Sequence, residues 1–357
     1  MKGVMADVIP IKKYNNIKRI CLIGGGDLMV HAANAFNDAG YDVCSILAPR
    51  HAGEDLTILG GTLIEKLRSV ENMDIIETED INDLKSWSYA EISDLDTLAI
   101  CFGPSWIFST AVMKLFNHGM INVNLIPIPN YLGGAHFTWQ ILNEDRQGGC
   151  YFQEITSDVD RGAILFSHKF KVPKSACTPS DYFQIYYKEG VFALGNFIKH
   201  IVDAVPLSIV DFKVVNLDRI YFPRLITLEH AYIDWSWSAM HIERFCNAFD
   251  EPYAGAMTFL NGKLIHLKKI TFVSLDHDFH PFCAGLIIRC TDSEVIVSAA
   301  GGALQIGSAV DEFNKDALGT FKEGFRLNTP NKYLEHAVCF RPKFSSKGYE
   351  PVNNGNL

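Results

Sequence analysis

The sequence predicts an α/β protein in which a Rossmann-like, doubly wound parallel sheet is followed by a smaller, β-rich domain resembling an OB barrel. Three observations support this prediction. Short β-branched runs alternate with helix-like stretches in the first 205 residues, as in a parallel sheet covered on both faces. After Pro206, short strands separated by Gly and Asn turns take over. The length of 357 residues also exceeds the usual size of one hydrophobic core.

The first part of the chain begins with a strand, a turn and a helix. The run RICLIGGG at 19–26 is a strand stopped by glycines, and apolar residues at helical spacing follow at 28–39. Further strands are predicted at 41–48, 97–102 and 120–125, with a helix at 106–116. Ligands of such sheets bind at the carboxyl ends of the strands, so we expect the functional site there.

The later elements complete the prediction. Strands are expected at 150–155 and 163–171, and a long amphipathic helix at 179–205. An Asn261-Gly262 turn between two alternating apolar runs predicts a hairpin, and residues 285–309 supply three more strands. We therefore expect a Rossmann-like domain at 18–205, a β-rich domain at 206–340 and a loose tail at 341–357.

Composition narrows the functional classes. The formal net charge of -9 favours neither a nucleic-acid partner nor an anionic membrane. The nine cysteines include no CxxC pair, which predicts free thiols in a reducing compartment and no zinc site. No stretch is long and apolar enough to span a membrane. We expect a cytoplasmic protein with a small-molecule substrate and no bound metal, and a homodimer is compatible with these data.

A glycine-rich loop follows the first strand. The letters GGGDLM at 24–29 suggest a dinucleotide site, because glycines allow the backbone to approach a pyrophosphate. The GxGxxG pattern would require glycine where Met29 stands, and no acidic residue follows the second strand at Ala48. We interpret the loop as a tight turn and keep a nicotinamide-dependent oxidoreductase as an alternative.

Two asparagines stand at the end of the predicted fourth strand, in the segment INVNLIPIPNYLGG. Asparagine is depleted in strands and needs hydrogen-bond partners when buried, so the pair suggests a function. From Asn122 onward the segment resembles the signature strand of the folate-dependent formyltransferases. Asn122, Pro129, Tyr131 and Gly133 match that signature without a gap.

A second family signature has the order Asp, apolar, Asp, any residue, Gly before a strand. The segment SDVDRGAILF resembles it, with Val159, Asp160 and Gly162 in register. Farther along, residues 233–235 and 248–249 resemble the junction and C-terminal module of the methionyl-tRNA and amino-sugar formyltransferases. The resemblance extends over roughly residues 18–310, and the acidic balance favours the small-molecule members.

The resemblance implies transfer of a formyl group from N10-formyltetrahydrofolate to a primary amine, such as that of a nucleotide-linked amino sugar. Asn122 would stabilise the oxyanion that forms on the formyl oxygen, and Asp160 would handle or direct protons. The pterin ring would lie between residues 101–106, at a strand end, and the loop at 156–160. The cofactor-binding residues expected there are Cys101, Phe102, Gly103, Pro104, Trp106, Asp158, Val159 and Asp160.

One position departs from the family. Asn124 stands where the family has histidine, and a carboxamide cannot serve as a general base near neutral pH. Asp160 could take the proton alone, His136 could reach into the site, or the chemistry could be changed or lost. We therefore count Asn122, Asn124, Asp160 and His136 as candidate catalytic residues, and a catalytically silent or chemically altered binding protein remains an alternative.

Overall fold

The computed structural model describes residues 11–85, 92, 96–210, 220–276, 278–291, 294–345 and 348–350. The strands up to residue 210 are β1 (Ile11–Lys12), β2 (Arg19–Gly24), β3 (Asp42–Leu47), β4 (Asp74–Glu77), β5 (Thr97–Phe102), β6 (Met120–Asn124), β7 (Leu132–Gly133), β8 (Gln147–Glu154), β9 (Ile164–Lys171) and β10 (Leu207–Ser208). The helices of this part are α1 (Asp27–Asp38), α2 (Pro49–Ala52), α3 (Leu63–Arg68), α4 (Thr110–Met113), α5 (His136–Leu142) and α6 (Pro179–Val202).

A seven-stranded sheet organises the first unit, in the order β4-β3-β2-β5-β6-β8-β9. The five strands from β4 to β6 are parallel, and alternate residues of β2 enter two separate cores. Ile20 and Leu22 pack in the core that contains residues of α1 and α6, whereas Cys21 and Ile23 face the core that contains α4. The predicted Rossmann-like fold is confirmed.

The last two strands of the sheet break the parallel arrangement, because β8 runs antiparallel to β6 and β9 runs antiparallel to β8. The connection from β8 to β9 spans only residues 155–163, which is too short for the crossover that parallel strands require. The sequence prediction of a wholly parallel sheet is therefore corrected at this edge. At the other edge, β4 and the preceding α3 were not predicted.

The predicted helix at 106–116 is much shorter in the structure. Only Thr110–Met113 is helical, after a cap in which the Ser109 hydroxyl accepts a hydrogen bond from the Val112 amide. The preceding residues form a loop because side chains and backbone of a neighbouring segment hold them. Asn82 donates to the Ile107 carbonyl and accepts from the Ser109 amide.

In its described residues the second unit contains short strands and three helices. Its strands are β11 (Tyr221–Phe222), β12 (Ala256–Leu260), β13 (Lys263–Val273), β14 (Ile287–Cys290), β15 (Val295–Ala299), β16 (Gly302–Asp311), β17 (Leu327–Asn328), β18 (Lys343–Ser345) and β19 (Gly348–Glu350). Its helices are α7 (Thr227–His230), α8 (Ala239–Ala248) and α9 (Asn331–Cys339), with 3₁₀ turns at Pro281–Cys283 and Leu318–Thr320.

Six of these strands form an antiparallel sheet in the order β14-β15-β16-β13-β12-β17. The Ile287 amide donates to the Phe325 carbonyl, and the Leu327 amide donates to the Gly285 carbonyl, so the two edges of the sheet meet. The predicted barrel-like module is therefore present. Its β12–β13 hairpin turns at Asn261 and Gly262, which both have positive φ, as the sequence predicted.

The two units share a hydrophobic core. Side chains of α5 and α6, among them Phe137 and Tyr186, belong to the same buried cluster as Ile233 and other residues of the barrel. Pairing with the first unit also continues past the expected boundary at 205, because β10 pairs with β1 and β11 pairs with β7. In the segment expected to be a loose tail, β18 and β19 form a hairpin, while 351–357 lie outside the described residues.

None of the helices in the described ranges has the length and apolar character needed to cross a membrane. The nine cysteines are free thiols, five of them buried.

Candidate active site

The two asparagines lie at the carboxyl end of β6, in the middle of the large sheet. Asn122 is paired with Cys101 of the parallel β5 on one side and with Gln153 of the antiparallel β8 on the other. Val123 between them is buried in the apolar core, which fixes the register of the strand. Because their side chains alternate with Val123, both carboxamides project to the same face of the sheet.

These carboxamides form a hydrogen-bonded chain. Asn122 Nδ2 donates to Asn124 Oδ1 at 2.8 Å, and Asn124 Nδ2 donates to Gln153 Oε1 at 3.1 Å. Gln153 Nε2 then donates to the Gly162 carbonyl at 2.9 Å. The buried Oδ1 of Asn122 has no partner in the part of the chain that the structure describes. Asn124 is thus a hydrogen-bonding link between Asn122 and Gln153.

A cleft opens beside Asn122 at this end of the sheet. Its described lining combines apolar and polar side chains from the loop after β5, from β8 and from the loop after β8. They are Pro104, Trp106, Ile107, Phe108, Asn122, Gln153, Glu154, Ile155, Thr156, Asp158, Val159 and Asp160. The cleft therefore has apolar walls and a polar end formed by amides and carboxylates.

The loop after β5 is held in place by polar contacts. Trp106 Nε1 donates to the Glu79 carbonyl at 2.9 Å, which anchors one edge of the indole. Arg50 Nε donates to Ser105 Oγ at 2.5 Å. Ile107 lies at the mouth of the cleft with 73% of its surface exposed. Such an exposed apolar side chain beside a polar site suits contact with a flat ligand.

The loop after β8 carries the two aspartates. Asp160 has a positive φ of 54°, a conformation that Asp tolerates better than most residues. Thr156 Oγ1 donates to the Asp158 carbonyl at 3.0 Å and tightens the turn. A Cβ on Gly162 would overlap the backbone oxygen of Glu154, so only glycine allows the loop to return this closely to β8.

The chain is similar in sequence to proteins of known function. The family described as "Formyl transferase, C-terminal domain" matches residues 225–319. The methionyl-tRNA formyltransferase of Agathobacter rectalis is 22% identical over 293 residues, which are 81% of this chain and 90% of that protein. Over most of its length the chain is similar to folate-dependent formyltransferases. These similarities support an N-formyltransferase activity.

Two solved structures share the fold. One is WlaRD, a sugar 3N-formyl transferase crystallised with dTDP and 5-N-formyl-THF, at a TM-score of 0.58, 18% identity and coverage of 82% of this chain and 97% of that one. The other is the N-formyltransferase of Helicobacter canadensis with folinic acid and dTDP-3-aminofucose, at a TM-score of 0.57, 16% identity and coverage of 81% and 98%.

Most of the expected site residues line this cleft. Asn122, Pro104, Trp106 and the three residues 158–160 line it. Cys101 and Phe102 are instead buried in β5, where burial raises the pKa of the Cys101 thiol. Gly103, with a φ of 55°, makes the turn from β5 into the loop. These three residues shape the strand end and are absent from the described lining of the cleft.

His136 lies elsewhere. It begins α5, and its ring packs against Phe137 and Tyr186 with centroids 4.2 and 6.2 Å apart. Burial, with a smaller contribution from the nearby Arg224, lowers the pKa of His136 to about 4. The ring is absent from the described lining of the cleft. It is therefore a neutral packed ring near the core shared by the two units.

Atoms of neighbouring residues occupy the space beside Gly24 and Gly25 in the glycine loop. Gly24 has a φ of 121°, and a Cβ there would overlap the Phe102 carbonyl. A Cβ on Gly25 would overlap His51 and Glu54. These close approaches explain the glycines as packing requirements of the turn. Together with the similarity to formyltransferases, they give the oxidoreductase alternative no support.

Two functional candidates were missed by the sequence analysis. Gln153 is 1% exposed yet joins the asparagines to the aspartate loop. Glu154 lines the cleft and forms an ion pair with Lys12 of β1. The buried Tyr14 hydroxyl lies near Glu154, and burial, reinforced by that charge, raises the tyrosine pKa. The alternating pattern around 150–155 predicts a strand but gives no signal for these roles.

Proposed function

We propose that the protein transfers a formyl group from N10-formyltetrahydrofolate to the primary amine of a small metabolite, a nucleotide-linked amino sugar. The observation that carries this proposal is the convergence of Asn122 and Asp160 on one cleft at the carboxyl ends of β5 and β6. The similarity to formyltransferases supports the reaction class.

The cleft has the character that a reduced folate requires. Trp106, Phe108 and Val159 provide apolar contacts for a flat pterin ring, and Glu154 and Asp158 provide acceptors for its N–H groups. The solved structures with related folate ligands support this choice of donor. We place the pterin between the loop after β5 and residues 156–160.

The folate supplies the formyl carbon. The reaction requires hydrogen-bond donors and proton acceptors around that carbon. Asn122 Nδ2 uses one hydrogen to bind Asn124, so its second hydrogen is available to the formyl oxygen. Asp160, which also lines the cleft, directs or accepts the proton that leaves the amine. Asn124 does not titrate and serves to hold Asn122.

The choice of amine rests on two observations. Both solved structures bind thymidine-diphosphate compounds in an architecture that this chain shares over most of its length. The net charge of -9 disfavours a bulky polyanion such as tRNA. The methionyl-tRNA formyltransferase relatives make charged methionyl-tRNA the competing substrate.

A second candidate is a binding protein that retains the fold and the folate site but transfers no formyl group. The carboxamide chain at Asn124 is the observation that favours it, because no imidazole is present at that place. The role of Asp160 distinguishes the two candidates. The enzyme needs Asp160 as a proton acceptor, whereas the binding protein does not.

The test combines binding with turnover. Reduced folates and amino-sugar nucleotides are first compared by thermal shift, because a ligand of the native state raises the melting temperature. Formyl transfer to those nucleotides and to methionyl-tRNA is then measured by mass spectrometry. Formylation of a sugar nucleotide supports the proposal, and formylation of the tRNA alone overturns the substrate. Folate binding without transfer favours the second candidate, and absence of folate binding overturns both.

A further inference from the structure

Gln153 occupies the point where the asparagines, the cleft and the aspartate loop meet. It lies on β8 directly opposite Asn122 and is 1% exposed. Both ends of its carboxamide are used, since Oε1 accepts from Asn124 at 3.1 Å and Nε2 donates to the Gly162 carbonyl at 2.9 Å. A buried glutamine bonded at both ends has one fixed orientation.

The direction of the hydrogen bonds from Asn122 through Asn124 and Gln153 follows from their last acceptor, the Gly162 carbonyl. A backbone carbonyl can only accept a hydrogen bond, so the group facing the Gly162 oxygen must be the NH₂ of Gln153. Gln153 then presents its oxygen to Asn124, and Asn124 must donate. Asn124 in turn presents its oxygen to Asn122, whose NH₂ must point along the chain. One carbonyl thus determines the orientation of three side-chain amides.

We propose that Gln153 is a positioning residue that orients Asn122 as a hydrogen-bond donor and ties it to the loop that carries Asp160. This inference rests on the proposed formyl transfer. If these hydrogen bonds ran in the opposite direction, the Asn122 oxygen would face Asn124. The Asn122 NH₂ group would then lose its defined orientation as a donor. Because Gly162 lies two residues after Asp160, the same bond ties the loop that carries Asp160 to β8, which pairs with the strand of Asn122.

Other side chains at 153 would not perform this role. Methionine has a similar length but can neither accept from Asn124 nor donate to Gly162. Glutamate can accept from Asn124, but its ionised form cannot donate to the Gly162 carbonyl. A protonated glutamate has both an O–H donor and a C=O acceptor, so it would restore the chain. This difference gives a pH-dependent test.

The experiment compares Gln153→Met and Gln153→Glu with the matched control Gln140→Met. Gln140 is also fully buried and bonded at both ends, since it donates to the Gln147 carbonyl and accepts from Tyr186, but it lies in α5. Gln153→Met should lower kcat by about 10- to 100-fold, part of the loss for deleting an oxyanion donor, with KM little changed. Gln140→Met should lower stability with kcat nearly unchanged.

Gln153→Glu should recover activity relative to the wild type as the pH falls through the titration of the new carboxyl. A kcat within twofold of wild type for Gln153→Met, or no acid recovery for Gln153→Glu, would overturn the proposal. If Gln153→Met does not fold, the isosteric Gln153→Glu decides the question by its pH profile.

A measurement without turnover separates this inference from the proposed function. In protein labelled with ¹⁵N-asparagine, the Asn124 carboxamide hydrogen bonded to Gln153 should exchange slowly, and this protection should disappear in Gln153→Met. Lost protection in a protein that transfers no formyl group would support the hydrogen-bond chain and reject the formyl-transfer role. Retained protection in Gln153→Met would show that Gln153 does not accept the Asn124 hydrogen bond, and the proposal would be overturned.

Discussion

His136 provides a test of the structure that does not depend on catalysis. Its ring is buried against Phe137 and Tyr186, and burial lowers its pKa from an ordinary value of 6.5 to about 4. The native protein therefore holds the ring neutral, whereas the unfolded chain protonates it below about pH 6.5. The stability that this ring contributes should be fully present above pH 6.5 and be lost as the pH falls toward 4.

The size of the effect follows from proton linkage. A shift from 6.5 to about 4 corresponds to about 3 kcal/mol once both states are protonated. Between pH 7 and pH 5 the loss should be about 2 kcal/mol, because the unfolded ring is then mostly charged and the native ring is not. This loss adds to the contributions of the other titrating groups, so it must be measured as a difference.

Urea unfolding of wild type and His136→Asn at pH 7, 6 and 5 supplies that difference. The variant lacks the titrating ring, so its stability should fall less steeply with acidification by about 2 kcal/mol over this range. His241→Asn, at an exposed position of α8, controls for the loss of a histidine as such. Parallel pH dependences for wild type and His136→Asn would refute the assignment of a buried neutral ring.

Three further predictions concern the cleft. Asn122→Ala should lower kcat by roughly 100- to 1000-fold with little change in substrate KM, whereas a loss confined to KM would assign Asn122 to substrate binding. Asp160→Asn should abolish formyl transfer, while Asn124→His should preserve or raise it; the opposite ranking in a steady-state assay would remove Asp160 from proton transfer. Gly162→Ala should displace the loop and reduce both thermal stability and kcat, because its Cβ would overlap the Glu154 carbonyl, and an unchanged melting temperature would contradict this geometry.

The elements of the parallel sheet were predictable because each has a strong local signal. β5 has the predicted bounds, and β2, β3 and β6 end within two residues of prediction, since buried β-branched runs and flanking glycines mark them. The segment 106–116 has helical spacing but contains a loop, because Asn82 and Glu79 bind it from a distance. Local periodicity contains no information about such long-range partners.

The site was predictable only where a family signature exists. Asn122 and Asp160 stand in register with known motifs, and they line one cleft. Gln153 reads as an ordinary strand residue, and its role emerges only from the pairing of β6 with β8. Lys12 precedes the expected start of the domain at 18, yet β1 brings it to Glu154. Tertiary pairing determines these contacts, and no short sequence window records it.

The shared core has a consequence for dissection of the chain. The cleft belongs to the first unit, yet Phe137 and Tyr186 on its helices are covered by the barrel, and β1 is paired with β10 beyond Pro206. A fragment ending at Pro206 would expose these aromatic rings to water and leave β1 without its partner strand. The first unit and the barrel must therefore be expressed together for the first unit to keep its core and its β1 pairing.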